Sequence, residues 1–304
     1  MTTPAPFKSS FPWLPAIPYP PPREDGYWAP ITSTLDWCEE NYYATHYSAE
    51  IVNTLTNLLV VYLSCKGMYN CYKYGHELIF LVTFAGFLVV GSGSFAFHAT
   101  LKYPMQLVDE LSMIYTTCLM LWATFEHGRS RLFGVLWGLF VASLAISITL
   151  YYHYLQDPTF HQNAYALLTA IVLIRAMVMQ ELYLRPYFQP RREKRDKEIL
   201  IRMWVLVAWG LTVFLGGFAI WNLDNIYCSK LRRWRYDIGL PWGLVLEGHG
   251  WWHIGTGLGA YSYIVWGIWL RHCLNGKQDE YELIWPSIFT SVPRLVRVEK
   301  VKTR

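Results

Sequence analysis

The sequence predicts an all-α integral membrane protein, a seven-transmembrane helix bundle with a non-cytosolic N-terminus and a cytosolic C-terminus. Three observations predict it. The 304 residues are 53% hydrophobic and 17% aromatic but only 16% charged, and the apolar residues come in long blocks where a soluble chain would interleave charges. Weakly charged stretches of roughly 20 residues, the length that crosses a bilayer, fall at 51–70, 78–99, 106–125, 132–153, 164–183, 200–222 and 249–270. With the N-terminus outside, 18 of the 26 Lys and Arg residues face the cytosol and seven the other side, with Arg175 inside a span. That bias sets the orientation, and the basic run from Lys230 to Arg235 opposes it without reversing it. There is no internal repeat. One membrane domain over 36–273 therefore joins a Pro-rich arm (1–35) to a basic cytosolic tail (274–304).

The arm carries PWLPAIPYPPP, which favours extended polyproline geometry and lacks the continuous apolar core of a signal peptide. It reads as loosely ordered. DWCEENYYATHYSAE follows and gathers Asp36, Glu39, Glu40, Asn41 and Glu50 ahead of the first span. Oxygen-rich clusters suit Ca²⁺, although the spacing is not that of an EF-hand loop and a solvated acidic cap on a helix is the commoner outcome. The first span opens with Asn53, Thr54, Thr56 and Asn57, which can bond between helices or support a polar site at that end.

The second span ends in GSGSFAFHATLKYP. Ser94 and His98 stand four apart, on one helix face, and Gly91 and Gly93 permit close helix approach. The third span begins at once, with Asp109 and Glu110 about a turn inside it. The seventh begins with EGHGWWH, in which His249 and His253 have the i, i+4 spacing by which two imidazoles share a divalent metal. The chain direction brings the ends of these three spans to the same, non-cytosolic side of the bundle, beside the Asp36 to Glu50 cluster. Three neutral imidazoles with a fourth position left for water make a catalytic zinc sphere. Taken singly, each of these residues is also compatible with a packing or helix-dipole role.

Between these spans, Tyr151, Tyr152, His153, Tyr154 and His161 read as an interfacial aromatic belt, and Arg175 as a residue that snorkels to the cytosolic edge. The loop RPYFQPRREKRDKE is a cytosolic basic segment able to meet anionic headgroups. Asp224 and Asp237 are expected to pair with neighbouring arginines. Of the six cysteines only Cys38 and Cys228 lie in non-cytosolic loops, so they are expected to form a disulfide, with two free thiols as the alternative.

DWCEENY, GSGSFAFHATLKYPMQLVDEL, WNLDNIYC and HGWWHIGTG resemble the alkaline ceramidase family, in order, from about Asp36 to Leu270. That family belongs to a wider group of seven-spanning hydrolases that includes the adiponectin receptors. The resemblance implies zinc on His98, His249 and His253, a serine near the metal at Ser94 and a catalytic aspartate at Asp109. It implies a calcium site on Asp36, the backbone carbonyl of Trp37, Glu39, Asn41 and Glu50, and a disulfide between Cys38 and Cys228. The final KVKTR resembles a dilysine signal that returns membrane proteins to the endoplasmic reticulum, through Lys300 and Lys302.

The expected activity is zinc-dependent hydrolysis of ceramide, with dihydro- or phytoceramide as candidate substrates, at the polar end of a bundle that a two-chained lipid enters from the bilayer. The rival reading is a seven-spanning receptor or lipid sensor of the adiponectin-receptor type. A zinc transporter would carry its polar residues through the bilayer centre, whereas here they gather at one end. Basic residues confined to membrane edges give no nucleic-acid footprint.

Overall fold

The computed structural model describes residues 15–190 and 193–298, so Lys300 and Lys302 lie outside the described residues. The chain runs through α1 (Ile51–Tyr74), α2 (Leu78–Thr100), α3 (Tyr103–Glu126), α4 (Arg131–Leu155) and α5 (Pro158–Met179). A π-helical turn over Gln180–Leu184 continues α5 into the short α6 (Arg185–Phe188), and α7 (Lys194–Ile238) and α8 (Gly248–Leu274) complete the bundle. Local chemistry sets several of the ends. Gly75, with φ of 67°, caps α1 through its N–H to Cys71. Ser130 accepts from Phe133 N–H at the start of α4, and Asp157 accepts from Thr159 N–H at the start of α5, where Pro158 is preset for the first turn.

Each predicted span falls on one of the seven long helices found among the described residues. Five of them meet length and hydropathy requirements for crossing a membrane: α1, α2, α4, the continuous α5 to α6 stretch, and α7. The other two, α3 and α8, are the helices that carry Asp109 and the paired histidines. Polar residues on α3 and glycines on α8 lower their hydropathy, and α8 sits inside the bundle, with Tyr261, Trp266 and Trp269 buried among the other helices. Small residues allow that placement. A Cβ on Gly255 would stand 2.5 Å from the carbonyl oxygen of Val213, and one on Gly259 2.9 Å from that of Gly210, so α7 and α8 pack backbone to backbone.

Three stretches differ from expectation. Residues 15–35 are packed rather than loose: Ile17 pairs with Leu240 through two backbone hydrogen bonds, and the buried Tyr19 stacks on Tyr43 with ring centroids 4.7 Å apart. α7 does not stop near residue 222. It bends at Tyr227 and continues to Ile238 as a polar extension above the apolar part, which a hydropathy window does not register. The tail folds back as an antiparallel hairpin, β1 (Tyr281–Ile284) with β2 (Arg294–Arg297). Its buried Tyr281, Leu283 and Leu295 join the core, and Tyr281 stacks on His272 at 3.7 Å.

Candidate metal centre and catalytic site

His98 comes from the last turn of α2, and His249 and His253 from the first turns of α8. All three are buried, and a ligand atom from each lies within 4.8 Å of the other two. Ring centroids are 5.0 Å apart for His98 and His249, 4.8 Å for His98 and His253, and 4.6 Å for His249 and His253. Outer partners hold two of the rings. Nδ1 of His98 meets Oε2 of Glu50 at 2.5 Å, and Nδ1 of His253 meets Oγ1 of Thr56 at 2.9 Å and Nδ2 of Asn57 at 3.2 Å. Engaging one ring nitrogen leaves the other to face the cluster, which is how proteins orient imidazoles toward a metal. Nδ1 of His249 is buried without a hydrogen-bond partner, and the ring lies against Trp37 with centroids 4.4 Å apart. The donor set and its spacing fit a divalent ion with an open coordination position.

Ser94 stands one turn before His98 on α2. Its hydroxyl faces the carboxylate of Asp109, which is half-buried near the start of α3. A Cβ on Gly93 would lie 3.2 Å from the backbone nitrogen of Asp109, so the glycine lets α2 and α3 approach closely enough for this pair to meet. An apolar cavity lies beneath, bounded by α2, α3, α5, α7 and α8 and lined by Phe87, Met113, Val172, Phe214 and Thr256 among others. Thr256 lies about one turn beyond His253, so the cavity reaches toward the histidines. α5 and α7 both line it yet scarcely touch one another.

The acidic segment takes a more specific form than an open cluster. Both oxygens of Glu39 accept backbone N–H groups at the start of α1, from Val52 at 2.7 Å and Asn53 at 2.8 Å. Glu50 is fully buried and accepts from Trp37 N–H at 3.1 Å and Asn53 Nδ2 at 3.0 Å while holding His98, so it touches both the acidic loop and the histidine cluster. Burial pushes the Glu50 carboxyl up to about 8. Burial, and then the neighbouring charge of Glu50, pushes Glu39 up to about 8 as well. Asn41 Nδ2 donates to Asp36 Oδ1 at 3.1 Å, and Asn41 Oδ1 is buried without a partner. The Trp37 carbonyl accepts from Arg232 at 3.3 Å. The carboxylates do not converge as the histidines do, but the orphaned Asn41 oxygen amid buried acids fits a cation site.

A second buried network was legible in the sequence only in part, through the expected disulfide and the expected pairing of Asp224. Cys38 and Cys228 form a disulfide, with Cα atoms 5.4 Å apart, tying the acidic loop to the α7 extension. Beside it Arg235, completely buried, donates to the Cys38 carbonyl at 2.8 Å and pairs with Glu247 at 2.8 Å and Asp224 at 3.4 Å. Tyr19 donates to Glu247 at 2.6 Å, and Asp224 accepts from Gly248 N–H at the start of α8. Thus arm, loop, α7 and the helix bearing His249 meet on one guanidinium. The expected pairing of Asp224 with an arginine is present; nothing in LRRWR distinguishes which arginine turns inward. Likewise Tyr152 and His161 are not belt residues. Both are buried against Glu110, where Tyr152 donates to the carboxylate and His161 Nε2 lies 2.8 Å from the carbonyl oxygen.

A ceramidase family profile matches residues 29–296. The chain is 36% identical over 271 residues to alkaline ceramidase 3 of Mus musculus, covering 86% of this chain and 94% of that protein. It is 36% identical over 284 residues to alkaline ceramidase YPC1 of Saccharomyces cerevisiae, covering 88% and 85%. It is 24% identical over 287 residues to an alkaline ceramidase of Arabidopsis thaliana, covering 91% and 97%. Matches of this extent span the helices that carry both the histidine cluster and the Ser94–Asp109 pair, and the chain belongs to the alkaline ceramidase family of enzymes.

Proposed function

We propose that the protein is a zinc-dependent intramembrane amidase that hydrolyses ceramide, with dihydro- or phytoceramide as favoured forms, to a sphingoid base and a free fatty acid. The observation that carries this reading is the meeting of three buried imidazoles, a serine and an aspartate above an apolar cavity, in a chain of this family. Zinc held by His98, His249 and His253 would supply Lewis acidity and acidify water near neutral pH. Asp109 takes the proton of the attacking water and delivers it to the amide nitrogen as the C–N bond breaks, acting first as base and then as acid. Ser94 donates a hydrogen bond toward the oxygen on which negative charge develops. Glu50, Thr56 and Asn57 keep His98 and His253 oriented throughout. The loose seam between α5 and α7 supports lateral entry of the lipid, with its hydrocarbon in the cavity and its amide at the polar end.

Asp36, the Trp37 carbonyl, Glu39, Asn41 and Glu50 would hold calcium in a structural or regulatory role, fastening the loop against the histidine end. All seven long helices cross the membrane in this reading, with the N-terminus non-cytosolic and the C-terminus cytosolic. The dilysine pattern at Lys300 and Lys302 favours the endoplasmic reticulum. The test is fatty-acid release from a ceramide panel by purified protein, with zinc content measured alongside. Wild type is expected to cleave and carry zinc, His253→Ala to lose both, and Asp109→Asn to keep the metal while losing about 10²- to 10⁴-fold in kcat. Zinc-loaded wild type that cleaves none of the panel sinks the assignment.

A further inference from the structure

The apolar cavity stops short of the cytosolic end of the bundle. A second, smaller cavity lies beyond it between α2, α3, α5 and α8, lined by Phe80, Ala123, Met179, Gly267 and Leu270 among others. Met120 and Tyr263 line both. Both therefore stand where the two cavities adjoin. Met120 is buried, its sulfur accepts a hydrogen bond from Thr83 Oγ1 at 3.5 Å, and its methyl group stands 3.5 Å from where a Cβ on Gly267 would be. Tyr263 packs edge-on against Trp266 with centroids 5.6 Å apart. Neither Met120 nor Tyr263 has a part in the chemistry above.

We propose that Met120, backed by Tyr263, is the stop that sets the length of hydrocarbon chain accepted beneath the catalytic end. The proposal rests on the reading of the upper cavity as the seat of a substrate chain. Met120 lies three turns along α3 from Asp109, about 16 Å at 1.5 Å per residue, so it meets the far end of a chain whose polar end is at the metal. Methionine suits the place because an unbranched thioether fills an irregular gap between two cavities and its removal leaves them joined. Gly267 leaves the space into which the Met120 methyl projects. Every methylene newly buried beyond the stop can favour the longer substrate by up to about fourfold.

The experiment offers purified wild type, Met120→Ala, Met120→Phe and the double variant Met120→Ala/Gly267→Leu mixed ceramides in detergent. One series varies acyl length on a fixed base, the other base length on a fixed acyl group, and products are read by mass spectrometry. Met120→Ala is expected to move the preferred length upward by several carbons in one series, which identifies the chain that descends. Met120→Phe should move it downward, and the added leucine should return the double variant toward wild type. A variant damaged only in folding lowers all lengths alike and leaves their ratios unchanged. Profiles of Met120→Ala and Met120→Phe that superimpose on wild type in both series overturn the proposal; if Met120→Ala is inactive, Met120→Phe alone decides by the same criterion. Wild type that cleaves no ceramide defeats the functional reading instead.

Discussion

Glu50 is the residue with the most conflicting demands. Its carboxylate holds His98, the Trp37 N–H of the acidic loop and the Asn53 amide of α1 at once, so its truncation removes the group that orients His98 as well as a proposed calcium ligand. Losses of 10- to 100-fold in metal affinity or activity are usual for such partners, and Glu50→Ala is expected to weaken zinc binding within that range when titrated against a competing chelator. Unchanged zinc affinity would show that His98 needs no orienting group. Glu39 and Glu50 also predict a pH dependence. Both carboxyls are raised to about 8, so the cation-free fold gains stability from their protons, and that gain is lost as pH rises from the unfolded value near 4.5 through 8. Calcium bound at the proposed site would have to displace those protons, so below pH 8 its affinity should fall by about tenfold per unit for each carboxyl that has to ionise. The shift in melting temperature between calcium and chelator should therefore widen from pH 6 to pH 9; a shift of constant size argues against calcium at these carboxylates.

At the scale of elements, the histidines were legible because an i, i+4 pair and a helix-end histidine lie where chain direction alone brings their spans together. The α7 extension was not. Its charge makes it look like a loop to any hydropathy measure, and its role emerges only when Arg235 is seen buried between Asp224, Glu247 and the Cys38 carbonyl. Arg235→Ala leaves two buried carboxylates without their cation, a change worth about 3–5 kcal/mol, and should lower the melting temperature while releasing the start of α8. A melting temperature within error of wild type would mean that the carboxylates are neutralised in some other way. The hairpin was hidden for a different reason. Tyr281, Leu283 and Leu295 alternate as strand residues should, but the stretch is short and follows a membrane span, where polar composition reads as a tail. Tyr152 and His161 show that residue type cannot separate a lipid-facing aromatic from one turned inward.

For the whole molecule, polarity is divided by depth. Histidines, carboxylates, disulfide and arm occupy one end, an apolar cavity the middle, and the hairpin with His76 and His272 the other. If the N-terminus lies outside the cytosol as proposed, an N-glycosylation acceptor engineered into the arm should be modified and one appended after the hairpin should not. The reverse pattern would invert the bundle and put the disulfide in a reducing compartment. Glu50 has a further consequence at this scale. A single carboxylate that serves both ends of a coupled pair of sites makes their affinities interdependent, and thermodynamic linkage is symmetric. If both ions bind as proposed, whatever factor calcium contributes to zinc retention, zinc must return to calcium, so stripping zinc should loosen the loop's hold on calcium by an equal ratio.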